Sequence, residues 1–201
     1  MLSPLNEYDE AIWNSVGIFC GTDEAGRGPL AGDVYAAAVI LDPNDPIEEL
    51  NDSKKLTEKK REKLYTEIIE RAENYCIAKA TIDEIEEINI LNAAMLAMKR
   101  AVIGLGQPVN LVLVDGNRVP PHIPYECRSV VKGDGLSASI AAASILAKVT
   151  RDRYMVEIAE RYPQYGFEKH KGYGTRLHRE MLLKYGPCEI HRPSFLKKIL
   201  K

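Results

Sequence analysis

The chain has 201 residues, 45% of them hydrophobic, and a formal net charge of −2. That is enough to bury a full core in one domain. No apolar run approaches the ~18 residues of a membrane span, and the first residues, with Glu7, Asp9 and Glu10, do not resemble a signal peptide. These features predict a cytoplasmic protein with no membrane contact. Cys20, Cys76, Cys127 and Cys188 are far apart and lack zinc-site spacing, so they are expected to be reduced, mostly buried thiols. The charge is uneven: from Lys148 onward there are 13 Lys and Arg against 6 Asp and Glu. A basic C-terminal part beside an acidic body suits a polyanion, although a solvated basic helical surface has the same composition.

The first apolar run, Val16 to Cys20, leads into Asp23-Glu24-Ala25-Gly26-Arg27-Gly28, two carboxylates followed by a glycine-rich turn carrying one arginine. Gly32 to Leu41 is a second apolar run, ended by Asp42-Pro43-Asn44-Asp45-Pro46, a turn or loop. Thr57 is placed to cap a helix to about Glu73, with Leu64, Ile68 and Ala72 at helical spacing. Tyr75 to Ala80 reads as a strand, and Ile82 to about Leu105 as a helix with Ile88, Leu91, Met95 and Met98 on its core side.

Asn110 to Val114 is a short apolar run delivering Asp115-Gly116-Asn117, and Arg128 to Val131 delivers Lys132-Gly133-Asp134-Gly135. A long helix from Leu136 to about Arg161 begins with Ser137, Ala138, Ser139, Ala141, Ala142, Ala143 and Ser144, small residues that let a helix lie close to a sheet. Tyr162 to Gly166 interrupts it, and a last helix runs from about Thr175 to Lys184, before Gly186-Pro187. Adjacent strands early and crossover helices later imply an α/β architecture, a mixed sheet covered on both faces.

Three strand ends therefore carry carboxylates: Asp23 with Glu24, Asp115, and Asp134. Singly they have ordinary explanations, since Asp115-Gly116 is a common hairpin dipeptide and Asp134 favours a helix start. Together in one cleft they would repel one another unless hard cations with oxygen ligands occupied it, which suits Mg²⁺ or Mn²⁺ and not zinc. Two such ions suit in-line displacement at phosphorus. Asp152, between Arg151 and Arg153, is expected to form a structural ion pair with those arginines. Lys54 and Lys55 precede a helix, either as phosphate contacts or as its solvated start. Tyr173, between Gly172 and Gly174, suits stacking on a sugar or base. His122, His170, His178 and His191 have no metal-site spacing and default to structure or phosphate contact.

The segments Asp23 to Gly32, Asp52-Ser53-Lys54-Lys55-Leu56, Val114 to Asn117, Lys132-Gly133-Asp134, Ala141 to Asp152, His170 to Thr175, and Gly186-Pro187 through His191 to Phe195 resemble, in order, those of bacterial ribonuclease HII, the type 2 ribonuclease H. Only the first ~15 residues lie outside the resemblance. It implies a ribonuclease H-like five-stranded mixed sheet flanked by helices, in a single catalytic domain whose residues from about 165 to 201 form a small C-terminal helical extension. It implies cleavage of the RNA strand of RNA·DNA hybrids and incision 5′ of single ribonucleotides in duplex DNA, leaving 3′-hydroxyl and 5′-phosphate ends. A two-ion Mg²⁺ or Mn²⁺ site is the expected cofactor, and the protein is expected to be a monomer. By motif, Asp23, Glu24, Asp115 and Asp134 correspond to the metal-binding catalytic carboxylates, and Gly26, Arg27 and Gly28 to the loop that senses the 2′-hydroxyl. Tyr173 corresponds to the tyrosine at the junction sugar, and Lys54 joins the substrate-binding set. The type 3 enzyme is disfavoured by Arg27 and the short N-terminal part. A sugar- or acetate-kinase-like phosphotransferase would need a second phosphate loop and an adenosine site, and a non-catalytic hybrid-binding module would not need four carboxylates.

Overall fold

The computed structural model of the protein describes residues 2–200. Its sheet has five strands: β1 (Phe19–Ala25), β2 (Val34–Ile40), β3 (Asn74–Ala80), β4 (Leu111–Asp115) and β5 (Glu126–Val130). Their order is β3-β2-β1-β4-β5, with β1–β2 and β2–β3 antiparallel and β1–β4 and β4–β5 parallel, the mixed sheet expected. The helices are α1 (Pro4–Val16), α2 (Glu58–Arg71), α3 (Ile82–Gly104), α4 (Ala138–Arg161), α5 (Phe167–His170), α6 (Arg176–Tyr185) and α7 (Pro193–Leu196). No helix among the described residues is long and apolar enough to cross a membrane.

All seven residues of β2 are buried, because both sheet faces are covered. On one face Cys20, Ala36, Ala38, Val112 and Val114 meet α3; on the other Ala37 and Val39 meet α2 and α4. The small residues of α4 do what their size predicts: a Cβ on Gly21 would stand 2.3 Å from the Ile140 nitrogen, so the helix start rests against bare backbone of β1. This close approach brings the N-terminal end of α4 to the strand ends that carry the site.

The structure also departs from the sequence reading. Helix α1 was not anticipated; Ser3 caps it, Pro4 starts it, and its buried Asp9 accepts from both the N–H and the hydroxyl of Ser139 at the start of α4. Helix α3 is broken at Asn89 (φ 66°), whose side chain accepts from the N–H groups of Leu91 and Asn92 and so caps the second part. Its deepest positions include Ala93, Ala94, Ala97, Met98 and Ala101, while Ile88, Leu91 and Met95 are only partly buried, because close packing on the sheet favours alanine. Only Cys20 of the four cysteines is buried; all are free thiols. Asp152 pairs with Lys148 at 2.7 Å, not with the neighbouring arginines. Helical geometry puts residues four apart side by side, while Arg151 turns into the core and Arg153 reaches Glu62.

Candidate active site

Strands β1 and β4 are parallel neighbours paired Thr22 to Val114, so Asp23 and Asp115 emerge side by side at their C-terminal ends. Alternation along β1 puts Asp23 on the α4 side with Gly21 and Ala25, and Glu24 on the other. After β5, Lys132 turns left-handed (φ 57°) and a single 3-10 turn presents Asp134. The Asp115 Oδ1 accepts from the Gly133 N–H at 2.7 Å and lies 3.4 Å from the Asp134 nitrogen, locking the third carboxylate segment to the second.

The carboxylates lie close enough to act on one another electrostatically. Burial, then Glu24 and Asp115, pushes the Asp23 carboxyl well above its ordinary range, with Asp134 adding to the effect. Burial and Asp115 likewise raise Asp134. Three contacts offset the negative charge: Arg27 with Glu24 at 3.1 Å, Lys54 with Asp134 at 3.6 Å, and the Gly133 N–H on Asp115. Burial alone would lower Lys54, yet Asp134, Asp23, Asp52 and Asp115 hold it above its usual value. With these side chains so engaged, no three acidic, histidine or cysteine groups among the described residues are gathered tightly enough to grip one cation as they stand. The donor set nevertheless fits hard divalent ions: it is all carboxylate oxygen, and its mutual repulsion is what a cation relieves. Lys55 lies beside the same turn, its Nζ 4.0 Å from where a Gly135 Cβ would stand.

The Gly26–Gly32 loop beside the carboxylates is held from beneath by two buried arginines, Arg151 and Arg192, whose burial no charge count of the C-terminal part reveals. Arg192 donates to the carbonyls of Gly26, Arg27, Pro29 and Gly32 at 2.6–3.2 Å. Arg151 donates to those of Ala31, Asp33 and Lys171 at 3.0–3.2 Å. Burial, with Arg151 nearby, pulls Arg192 down to about 9. Because a trans peptide points its C=O and N–H in opposite directions, carbonyls drawn inward at Gly26 and Arg27 turn the N–H groups of Arg27 and Gly28 outward. The only sequence signal for Arg192 was its place within the motif ending at Phe195.

Tyr173 completes the wall. The residue is 42% exposed, and its ring lies over the turn, with its Cε1 3.8 Å from where a Gly28 Cβ would stand. Lys148 and Arg151 approach the ring to 5.7 and 5.9 Å from its centroid. Thus Asp23, Glu24, Asp115, Asp134 and Lys54 form one cluster, with the Gly26-Arg27-Gly28 turn and Tyr173 beside it. Of the histidines, His122 stands apart, whereas His170, His178 and His191 form a buried group under the Tyr173 loop.

A family model described as Ribonuclease HII matches residues 20–198. The Ribonuclease HII of Marinomonas sp. (strain MWYL1) is 62% identical over 92% of this chain and 94% of its own length. The crystal structure of the ribonuclease H2 from Pyrococcus horikoshii OT3 superposes with a TM-score of 0.74 at 28% identity, covering 91% of this chain and 97% of that one. The structure of Bst-RNase HIII in complex with Mn²⁺ shares the fold at a TM-score of 0.65 and 15% identity, over 84% of this chain and 63% of that one.

Proposed function

Because the chain belongs to the ribonuclease HII family, and is thereby a nuclease of the ribonuclease H type, we propose that it cleaves RNA in RNA·DNA hybrids and incises 5′ of single ribonucleotides in duplex DNA. The observation that carries this reading is the convergence of the strand ends on Asp23, whose carboxyl is raised by burial and by three other carboxylates. Asp23, Glu24, Asp115 and Asp134 would hold two Mg²⁺ or Mn²⁺ ions. The chemistry such ions supply when bound is activation of a water and stabilisation of the leaving oxygen.

The chain's own residues supply selection and alignment. The outward N–H groups of Arg27 and Gly28 can contact a ribose 2′-hydroxyl, and a side chain at Gly28 would hold the sugar away. The Tyr173 ring beside them packs on the adjoining deoxyribose, which favours an RNA-to-DNA step. Lys54 stands at Asp134 and is free to meet a phosphate once the carboxylates are otherwise neutralised. With Arg151 and Arg192 buried, the nucleic-acid footprint rests on the exposed basic side chains of the C-terminal part, such as Lys169.

A labelled DNA duplex with one ribonucleotide, incubated with Mg²⁺ or Mn²⁺ and mapped to the nucleotide, tests substrate, reaction and position together. The expected product is a single nick 5′ of the ribonucleotide with a 3′-hydroxyl, abolished by a chelator. Cutting of an all-DNA duplex at the same rate, or ATP hydrolysis instead of cleavage, would overturn the reading.

A further inference from the structure

Three histidines lie buried directly beneath the Tyr173 loop, and no step of the proposed reaction uses them. Their hydrogen-bond partners fix their tautomers. The His178 Nδ1 faces the Tyr173 carbonyl at 3.0 Å, so it carries the proton and donates. Its bare Nε2 therefore accepts, at 3.0 Å, from the Nε2–H of His191. The His191 Nδ1, left without a proton, accepts from the Cys188 N–H at 2.9 Å. The result is a one-directional chain from the Cys188 backbone through two imidazoles to the Tyr173 carbonyl.

The surroundings keep this chain neutral and in place. His170 stacks on His178 at 4.4 Å, its Nδ1 taking the Gly172 N–H and its Nε2 meeting the Tyr165 carbonyl. Phe167 packs against all three rings at 5.4–5.8 Å between centroids. The far end is anchored to the glycine-rich loop itself, because His191 bridges Ala31 in antiparallel pairing. The Tyr173 backbone is thus held at both ends, its N–H on the His170 carbonyl and its C=O by His178 and by the Thr175 N–H, while its ring stays exposed.

We infer that His178 and His191 are positioning residues for Tyr173, setting the height of its ring over Gly28 and so the preference for an RNA-to-DNA junction. The inference rests on the role given to Tyr173 under the proposed function. It implies that the side-chain donor from His178, added to the Thr175 N–H on the same Tyr173 carbonyl, matters more than the bulk of the imidazole. The asparagine amide places its Nδ2 where the histidine Nδ1 stood, whereas glutamine mimics Nε2 and leaves the Tyr173 carbonyl without that donor.

The experiment measures, with Mg²⁺ present, the ratio of incision at one embedded ribonucleotide to cleavage of a long hybrid, for wild type, His178→Asn, His178→Gln, Tyr173→Ala and the double variant Tyr173→Ala/His178→Gln. The expected result is a ratio within about twofold of wild type for His178→Asn and a fall of at least about fivefold for His178→Gln. The double variant should fall no further than Tyr173→Ala. A His178→Gln protein with lowered Tm but an unchanged ratio would overturn the inference and leave a structural cluster. An unchanged ratio in Tyr173→Ala would instead sink the role of Tyr173 itself, and the inference with it. Independently of any variant, ¹H–¹⁵N correlation of the wild-type imidazoles should find His178 protonated on Nδ1 and His191 on Nε2, and the reverse assignment would contradict the chain.

Discussion

The backbone N–H of Leu30 donates to the carbonyl of Gly172 at 2.9 Å, stitching the glycine-rich turn to the loop that carries Tyr173. Two segments about 140 residues apart in sequence therefore present one surface to a sugar. Arg151 reinforces the join, donating to Ala31 on one side and to Lys171 on the other. A change on either loop should thus be read through the other.

Tyr173→Ala is expected to weaken incision at a single embedded ribonucleotide more than cleavage within a long hybrid, where ribonucleotides occupy both sides of the cut. Tyr173→Phe should retain more of the junction activity than Ala, because the ring and not the hydroxyl makes the contact. Equal losses on both substrates, measured as kcat/KM, would reduce Tyr173 to a general positioning role.

Gly26 and Gly28 should respond differently to a methyl group. A Cβ on Gly26 would stand 2.2 Å from the Arg151 Nε, at a φ of 103°, so Gly26→Ala should cost about 1–3 kcal/mol of stability as well as activity. A Cβ on Gly28 meets only Tyr173, at the ordinary distance of 3.8 Å, so Gly28→Ala should keep its Tm. It should nonetheless lose about tenfold or more in kcat/KM, about 1.4 kcal/mol, on every substrate that offers a 2′-hydroxyl. Thermal unfolding beside cleavage kinetics separates the two effects.

Arg192→Lys keeps the charge but lacks the planar fork that reaches four carbonyls of the Gly26–Gly32 loop. Leaving those buried acceptors unpaired should destabilise the protein by about 2–4 kcal/mol by denaturant unfolding. Wild-type stability in Arg192→Lys would mean that the loop is held by its other contacts.

Burial, together with the neighbouring histidines, pulls His178 down to about 4; burial likewise pulls His191 to about 4, from an ordinary 6.5. Both folded-state values are depressed, so the unfolded chain binds more protons between these limits. Their contribution to stability is intact above pH 6.5 and is lost as pH falls toward 4. The Tm should drop across that window, and His178→Asn, which removes one titrating group, should flatten the drop. Parallel curves for the two proteins would assign acid lability to the carboxylates.

Much of this site was legible because Asp115 and Asp23 stand at the ends of apolar runs: Val114 before Asp115, and Phe19 and Cys20 ahead of Asp23, mark buried strands whose ends are the natural place for polar groups, whereas Asp134 follows the largely exposed β5 and was legible from its glycine-flanked turn. Thr57 as the cap of α2 and the small residues of α4 were legible for equally local reasons. What escaped was long-range. Arginine reads as surface charge in any one-dimensional count, and only the folded chain buries Arg151 and Arg192 against backbone carbonyls. His178 and His191 lie on different segments, and nothing in their spacing foretells a 3.0 Å contact. Helix α1 carried a readable local signal, Ser3 followed by Pro4, but the buried pairing of its Asp9 with Ser139, 130 residues away, is again long-range.

The central claim is that the carboxylates at these strand ends are a metal-dependent catalytic site, and Asp115→Asn and Asp134→Asn test it most directly. Single-turnover incision of a duplex with one ribonucleotide should fall by about 10³-fold or more at saturating Mg²⁺, several kcal/mol of transition-state stabilisation. The metal-free variants should unfold at the same temperature as metal-free wild type or higher, since each relieves repulsion on Asp23. Near-wild-type incision by either well-folded variant would remove that residue from the catalytic set and contradict the account.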